Sequence, residues 1–153
     1  MRFTIVSDTH DNIKNFNKVI DFLNAQKISV ILHCGDITSQ ETIGEATKNF
    51  KGEIKFVKGN GDYELVSIPE TMEVELDGKR IFFNHYPDVA KKAAESGKYD
   101  LVFYGHTHRP WEEIVGNCRL VNPGEVAGQR FKPTFAIYNT ETDKLELKIL
   151  ENL

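Results

Sequence analysis

Apolar and polar positions fall into short blocks along this chain. Phe3-Thr4-Ile5-Val6 is a β-branched apolar run of strand length, and it ends at Ser7-Asp8-Thr9-His10. Ile13, Phe16, Val19, Ile20 and Leu23 then recur at helical spacing, behind Asp11 or Asn12 as N-cap. Ser29 to His33 predicts a second strand, ending in Cys34-Gly35-Asp36. Ser39 caps a second predicted helix carrying Ile43, Ala46 and Phe50. Ile54 to Val57 predicts a third strand, which runs into Lys58-Gly59-Asn60-Gly61-Asp62. This β-α-β-α-β alternation implies a parallel sheet with right-handed crossovers.

The pattern changes in the second half. Met72 to Leu76 alternates, Asp77-Gly78 is a hairpin turn signal, and Arg80 to Phe83 is the return strand, ending at Asn84-His85. Asp88 to Ser96 predicts a short helix stopped by Gly97. Leu101 to Tyr104 predicts a buried strand ending in Gly105-His106-Thr107-His108. Trp111–Val115 with Arg119–Val121, and Thr134–Tyr138 with Leu145–Leu150, read as two further hairpins. Hairpins so late suggest a second sheet packed on the first, hence a layered α/β sandwich.

A chain of 153 residues is one domain of ordinary size, so residues 1–153 are read as a single unit. A net charge of −4 argues against bulk electrostatic binding to nucleic acid or an anionic membrane. No apolar run approaches the roughly 18 residues of a membrane span. Arg2 leads straight into a strand, without the pattern of a secretory signal. Cys34 and Cys118 make no disulfide framework. The expected location is the cytoplasm.

Polar residues wait at each strand end. Asp8 offers a hard oxygen and His10 a nitrogen; two residues apart in an extended segment, they would project to one side. The same pattern recurs at Asp36, Asn60, His85, His106 and His108. Two carboxylates, one amide oxygen and four imidazoles suit Mn²⁺, Fe, Ni²⁺ or Zn²⁺, and not Ca²⁺ or a thiolate-held structural zinc. Seven donors are too many for one tetrahedral ion and about right for two ions with water.

Asp8-x-His10, Gly35-Asp36, Gly59-Asn60-x-Asp62, His85 and Gly105-His106-x-His108 stand in an order that resembles the calcineurin-like metallophosphoesterases, in particular the small bacterial and archaeal phosphodiesterases. Asn122-Pro123-Gly124 matches a loop of the small members. The resemblance implies an α-β-β-α sandwich of two mixed sheets flanked by helices. It implies that Asp8, His10, Asp36 and His108 hold one divalent transition metal, and Asp36, Asn60, His85 and His106 a second. Mn is first choice, with Ni, Fe or Zn as alternatives. Asp36, Asn60 and His106 are the implied catalytic residues. The implied reaction is hydrolysis of a small phosphodiester by a metal-bridging hydroxide.

A shared Asp36 makes electrostatic sense. Two dications 3.5–4 Å apart repel by on the order of 20 kcal/mol at an effective dielectric near 20, so an anion must sit between them. Two carboxylates and a hydroxide would leave such a site with one net positive charge, which attracts phosphate. The histidines' second nitrogens are expected to be tied to acceptors.

Two positions depart from the family. Gly61 stands where strong phosphatases and nucleases have a histidine, so the usual leaving-group acid is missing. Tyr86, and not glycine, follows His85; it would wall the pocket, stack on a leaving group or simply pack its loop. Asp62 is expected to order the Asn60 loop. His33 is expected to be a packed, hydrogen-bonded strand residue, with Cys34 and Cys118 as small buried hydrophobes. Lys48, Lys51, Lys55 and Lys58 read as a solvated face. Arg109 is a candidate phosphate contact or a surface residue, and Glu125 stands where small relatives often have serine. The competing reading is a partner-binding scaffold, like the retromer subunit of this fold that has lost ligands; a phosphomonoesterase or nuclease is a third. Retention of all seven donors favours the enzyme. A homo-oligomer is left open.

Overall fold

Strand β1, Arg2–Val6, is buried on both faces, and the fold is layered around it. The structure is a computed structural model describing all 153 residues. Phe3 and Ile5 face one layer and Val6 the opposite one. Next come α1 (Ile13–Ala25), β2 (Val30–His33), α2 (Gln40–Asn49) and β3 (Glu53–Phe56), then β4 (Thr71–Leu76) and β5 (Lys79–Asn84). The chain continues through α3 (Pro87–Glu95), β6 (Leu101–Phe103), β7 (Trp111–Val115) and β8 (Cys118–Asn122), and ends with β9 (Thr134–Asn139) and β10 (Lys144–Ile149).

Two mixed five-stranded sheets result, ordered β10-β9-β1-β2-β3 and β4-β5-β6-β8-β7. Phe3, Ile5, Leu32, Phe83, Phe103 and Tyr138 are among the residues packed between them. Phe3 sits edge-on to Phe103, ring centroids 6.1 Å apart, and 5.4 Å from Tyr138. Burying each such ring stabilises the fold by roughly 1.5–3 kcal/mol. Phe16, Val19, Ile20 and Leu23 of α1 cover the outer face of the first sheet, with Ala46 of α2. Ala90 and Ala94 let α3 approach Phe82, Val102 and Leu120 on the outer face of the second. The order of layers is α-β-β-α.

The caps follow local chemistry. Asn12 is the N-cap of α1, accepting the Asn15 amide at 3.0 Å. Asp11 instead ties the start of α1 to that of α2, because its Oδ1 accepts the hydroxyls of Ser39 and Thr42 at 2.6 and 2.7 Å. Pro87 opens α3, where a missing N–H costs nothing.

The late hairpins divide between the sheets. β4–β5 and β7–β8 build the second sheet, but β9–β10 returns to the first, with β9 antiparallel to β1 and Thr4 opposite Ile137. The reason is burial. Phe135 and Ile137 face the α1 layer while Ala136 and Tyr138 face the other sheet, so β9 needs an interior place, and β1 had a free edge. Cys34 lies between the sheets and Cys118 under α3, on opposite faces of the second sheet, and both thiols are free. No helix is long and apolar enough to cross a membrane.

Candidate metal centre

The parallel strands β1–β3 of one sheet and β5 and β6 of the other deliver their following residues to a single cleft. All seven donors named from the sequence meet there. His10 Nε2 lies 3.4 Å from Asp8 Oδ1 and 3.3 Å from His108 Nε2, and His108 Nε2 is 3.3 Å from Asp8 Oδ1. Asn60 Oδ1 stands 3.1 Å from His85 Nε2 and 3.2 Å from His106 Nδ1. Asp36 Oδ2 faces both groups, 3.5 Å from His10 Nε2 and 3.4 Å from His85 Nε2.

This packing of donors suits a cation. Ligands about 2.1 Å from a shared ion stand roughly 3.0–3.4 Å apart. Asp8 Oδ1 is buried and accepts no hydrogen bond, an arrangement that costs free energy unless a cation meets it. Asp8 with His10 and His108, and Asp8 with Asp36 and His85, each form a compact set of potential ligand atoms.

The backbone differs from the expected extended segment. Asp8, His10, Asp36, His106 and His108 all have positive φ, between 43° and 72°. Non-glycine residues reach this left-handed region at a cost, and at functional sites the surrounding structure holds them there. Here the holding is done by a ladder beyond the strands: Asp8 N–H donates to Gly35 O and His10 N–H to Asp36 O, both at 2.9 Å. The resulting turns aim successive side chains into the cleft. Gly59 allows the close approach, because a β-carbon there would collide with Asp36 Oδ1 and the His85 ring.

Charges are paired across the cleft. Burial pushes the Asp8 carboxyl up, but the imidazoles of His10 and His108 beside its Oδ1 outweigh it and hold it well below the usual carboxylate range. Asp36 is lowered in the same way by His85 and the Gly61 amide, against its burial. Burial opposes charge on His85, yet Asp36 and Asp8 raise it above the ordinary imidazole value. His108 is raised chiefly by the Asp8 carboxylate beside it. The second nitrogens are only partly tied: His85 Nδ1 donates to Cys34 O at 2.8 Å and His108 Nδ1 to Glu125 at 2.9 Å. His10 and His106, on the open side, have no such acceptor.

Asp62 and His33 take the places expected of them. Asp62 is buried and accepts the amides of Asp36, Gly59 and Thr38 at 2.7–2.8 Å. It therefore orders the Asp36 loop as well as the Asn60 loop. His33 Nδ1 accepts the Gly35 amide at 3.1 Å, so its proton is on Nε2, which donates to Thr9 at 3.1 Å. Both ring nitrogens are used, and Phe16 and Phe56 flank the ring. Tyr86 stands edge-on to His85 at 5.2 Å and 5.6 Å from His106, beside the centre. Arg109 packs over the Trp111 ring at 5.0 Å.

Three residues were not legible as parts of the site. Gln129 and Arg130 line a cavity of about 490 Å³ together with His10, Asp36, Asn60 and His106 to His108. Glu125 lies behind it, fully buried against His108. Their loop, after Asn122-Pro123-Gly124, carries no recognisable pattern; only the unexplained glutamate pointed there.

Residues 1–143 match the profile of the calcineurin-like phosphoesterase superfamily domain. A phosphodiesterase of Methanocaldococcus jannaschii is 34% identical over 167 residues, covering 99% of this chain and 100% of its own. A solved archaeal phosphodiesterase superposes with a TM-score of 0.91 at 33% identity, covering 97% of this chain and 99% of that one. Vps29 of Chaetomium thermophilum shares the fold at 20% identity, with a TM-score of 0.78 and coverage of 97% and 94%.

Proposed function

The chain belongs to the calcineurin-like phosphoesterase superfamily and is a hydrolase of it, and from that premise we propose that it cleaves small phosphodiesters at a dinuclear metal centre. Asp8, His10, Asp36 and His108 would hold one divalent ion, and Asp36, Asn60, His85 and His106 the other. The observation that carries this reading is the placement of Asp36, whose Oδ2 faces His10 and His85 at nearly equal distance. Mn²⁺ is the ion assigned, with Ni²⁺, Fe or Zn²⁺ as alternatives, because the donors mix imidazole nitrogen with hard oxygen. Bound, the ions would supply Lewis acidity to the phosphoryl oxygens and a nucleophile from water at neutral pH.

The chain's own residues prepare that chemistry. Asp8 and Asp36 hold buried negative charge where the cations belong. Cys34 O orients the His85 ring and Glu125 the His108 ring, so each presents Nε2 to the cleft. Gly61 contributes an amide to Asp36 Oδ1 at 2.8 Å and no acid to a leaving group. His33 cannot replace that acid, since both of its nitrogens are engaged. The reading is therefore of an enzyme that favours esters with good leaving groups. Two free, buried thiols fit a reducing compartment, the cytoplasm. The scaffold alternative weighs less, because every donor position keeps a donor.

The test is elemental analysis combined with bis(4-nitrophenyl) phosphate hydrolysis. Two ions per chain, and activity lost with chelator and restored by Mn²⁺, are expected. A fully metallated chain inert to every diester offered would overturn the reading.

A further inference from the structure

We infer that Glu125 is a positioning residue that couples the ligand His108 to a substrate clamp at Arg130; the identity of the clamped group rests on the phosphodiesterase reading above. The Glu125 side chain is buried and touches four N–H groups. His108 Nδ1 donates to Oε2 at 2.9 Å, as do the amides of Arg130 at 3.0 Å and Phe131 at 3.3 Å, while the Gln129 amide donates to Oε1. Three successive amides turned onto one carboxylate form the concave anion cradle that other proteins offer to phosphate. Here the cradle closes on the chain's own side chain. The loop from Gly124 to Pro133 is thus wound around Glu125.

Glu125 is itself fixed to the strand end that carries Asp8. Val126 N–H donates to Ser7 O at 3.0 Å, Ala127 N–H to Asp8 O at 3.1 Å, and Thr134 N–H to Glu125 O at 2.9 Å. One carboxylate therefore sets both the ring of His108 and the backbone that carries Gln129 and Arg130 to the cavity. Lys132, two residues on, is paired with Glu151, whereas the Arg130 guanidinium has no acidic partner. Charge gives it work to do. Counting Glu125 with Asp8 and Asp36 removes the single net positive charge expected of a loaded centre, and Arg130 restores it. Its planar fork matches the two non-bridging oxygens of a phosphodiester monoanion.

The experiment uses the full chain, with Co²⁺ as a visible probe of the centre and inorganic phosphate as a non-reacting anion. In Arg130→Ala, KM for bis(4-nitrophenyl) phosphate and the phosphate inhibition constant should rise about tenfold or more, with kcat within about threefold and Co²⁺ affinity unchanged. Arg130→Lys should recover part of the loss. Glu125→Gln keeps the size of the side chain but turns a donor onto the amides or the imidazole. Its Co²⁺ affinity should fall about 10–100-fold, and the imidazole N–H resonance of His108 should shift. At saturating Co²⁺ it should show the KM defect of Arg130→Ala, and the double variant should lose no more. Glu125→Ser, which leaves room for water, must show the same paired loss if Glu125→Gln does not fold. Unchanged Co²⁺ affinity in a folded Glu125 variant, or unchanged KM and phosphate inhibition in Arg130→Ala, overturns the inference. A wild type that cleaves no diester would sink the functional reading alone. Co²⁺ titration and phosphate calorimetry would still decide the coupling, because neither needs turnover.

Discussion

The Asp62 carboxylate accepts the Asp36 backbone amide at 2.8 Å, and its Oδ2 accepts the Gly59 amide at the same distance. A buried acid that reaches none of the reacting positions thus joins the two loops that carry Asp36 and Asn60. Asp62→Asn keeps one acceptor and turns an NH₂ toward backbone donors. It should cost roughly 1.5–3 kcal/mol of stability, read as a lower urea midpoint with an unchanged m value. A wild-type midpoint would show that the two loops hold themselves.

Asp36→Ala removes the carboxylate oxygen that stands 3.5 Å from His10 Nε2 and 3.4 Å from His85 Nε2. Hydrolysis should be abolished and both ions should bind far more weakly, because their mutual repulsion loses its screen. Elemental analysis after gel filtration checks this. Two retained ions per chain with near-normal rates would refute the dinuclear centre.

His33 is predicted to make the fold acid-sensitive. Burial depresses its pKa to about 3, against roughly 6.5 when unfolded. The folded state keeps His33 neutral while the unfolded state takes up a proton as pH falls. The stability linked to this residue is therefore full above about pH 6.5 and declines toward pH 3, by up to about 1.4 kcal/mol per pH unit. His33→Gln, whose amide can accept from Gly35 and donate to Thr9, should flatten that decline in chelated protein between pH 6 and 4. Parallel stability curves for the two proteins would assign the acid sensitivity elsewhere.

Without an acid at Gly61, rates should depend steeply on leaving-group acidity, with nitrophenyl diesters cleaved well and alkyl diesters or RNA much more slowly. A positioned acid typically contributes roughly 10²–10⁴-fold. Gly61 does not occupy the left-handed region, and a β-carbon there would meet Asp36 Oδ1 at 3.2 Å, a tight contact that a small shift relieves. Gly61→His should therefore be accommodated and should narrow the gap between good and poor leaving groups. A flat plot of log rate against leaving-group pKa in the wild type, with chemistry rate-limiting, would mean that another group donates, and Tyr86 is then the first to replace.

Apolar period and strand-end chemistry are local properties, so the amino-acid sequence by itself determined the elements, the layered class and the set of candidate donors. Asp8, His10, Asp36, Asn60, His85, His106 and His108 were legible because each follows a strand or a glycine turn. What a strand pairs with is not local: β9 and β10 joined the first sheet because a strand buried on both faces had to lie beside β1. Nor is the direction of a side chain. The left-handed turns at five of the donors arise from hydrogen bonds between separate loops, such as His10 N–H to Asp36 O. Asp62 with Asp36, and Glu125 with His108, are pairs far apart along the chain. A carboxylate's role depends on which N–H groups surround it once the chain has folded, and no spacing in the sequence encodes that.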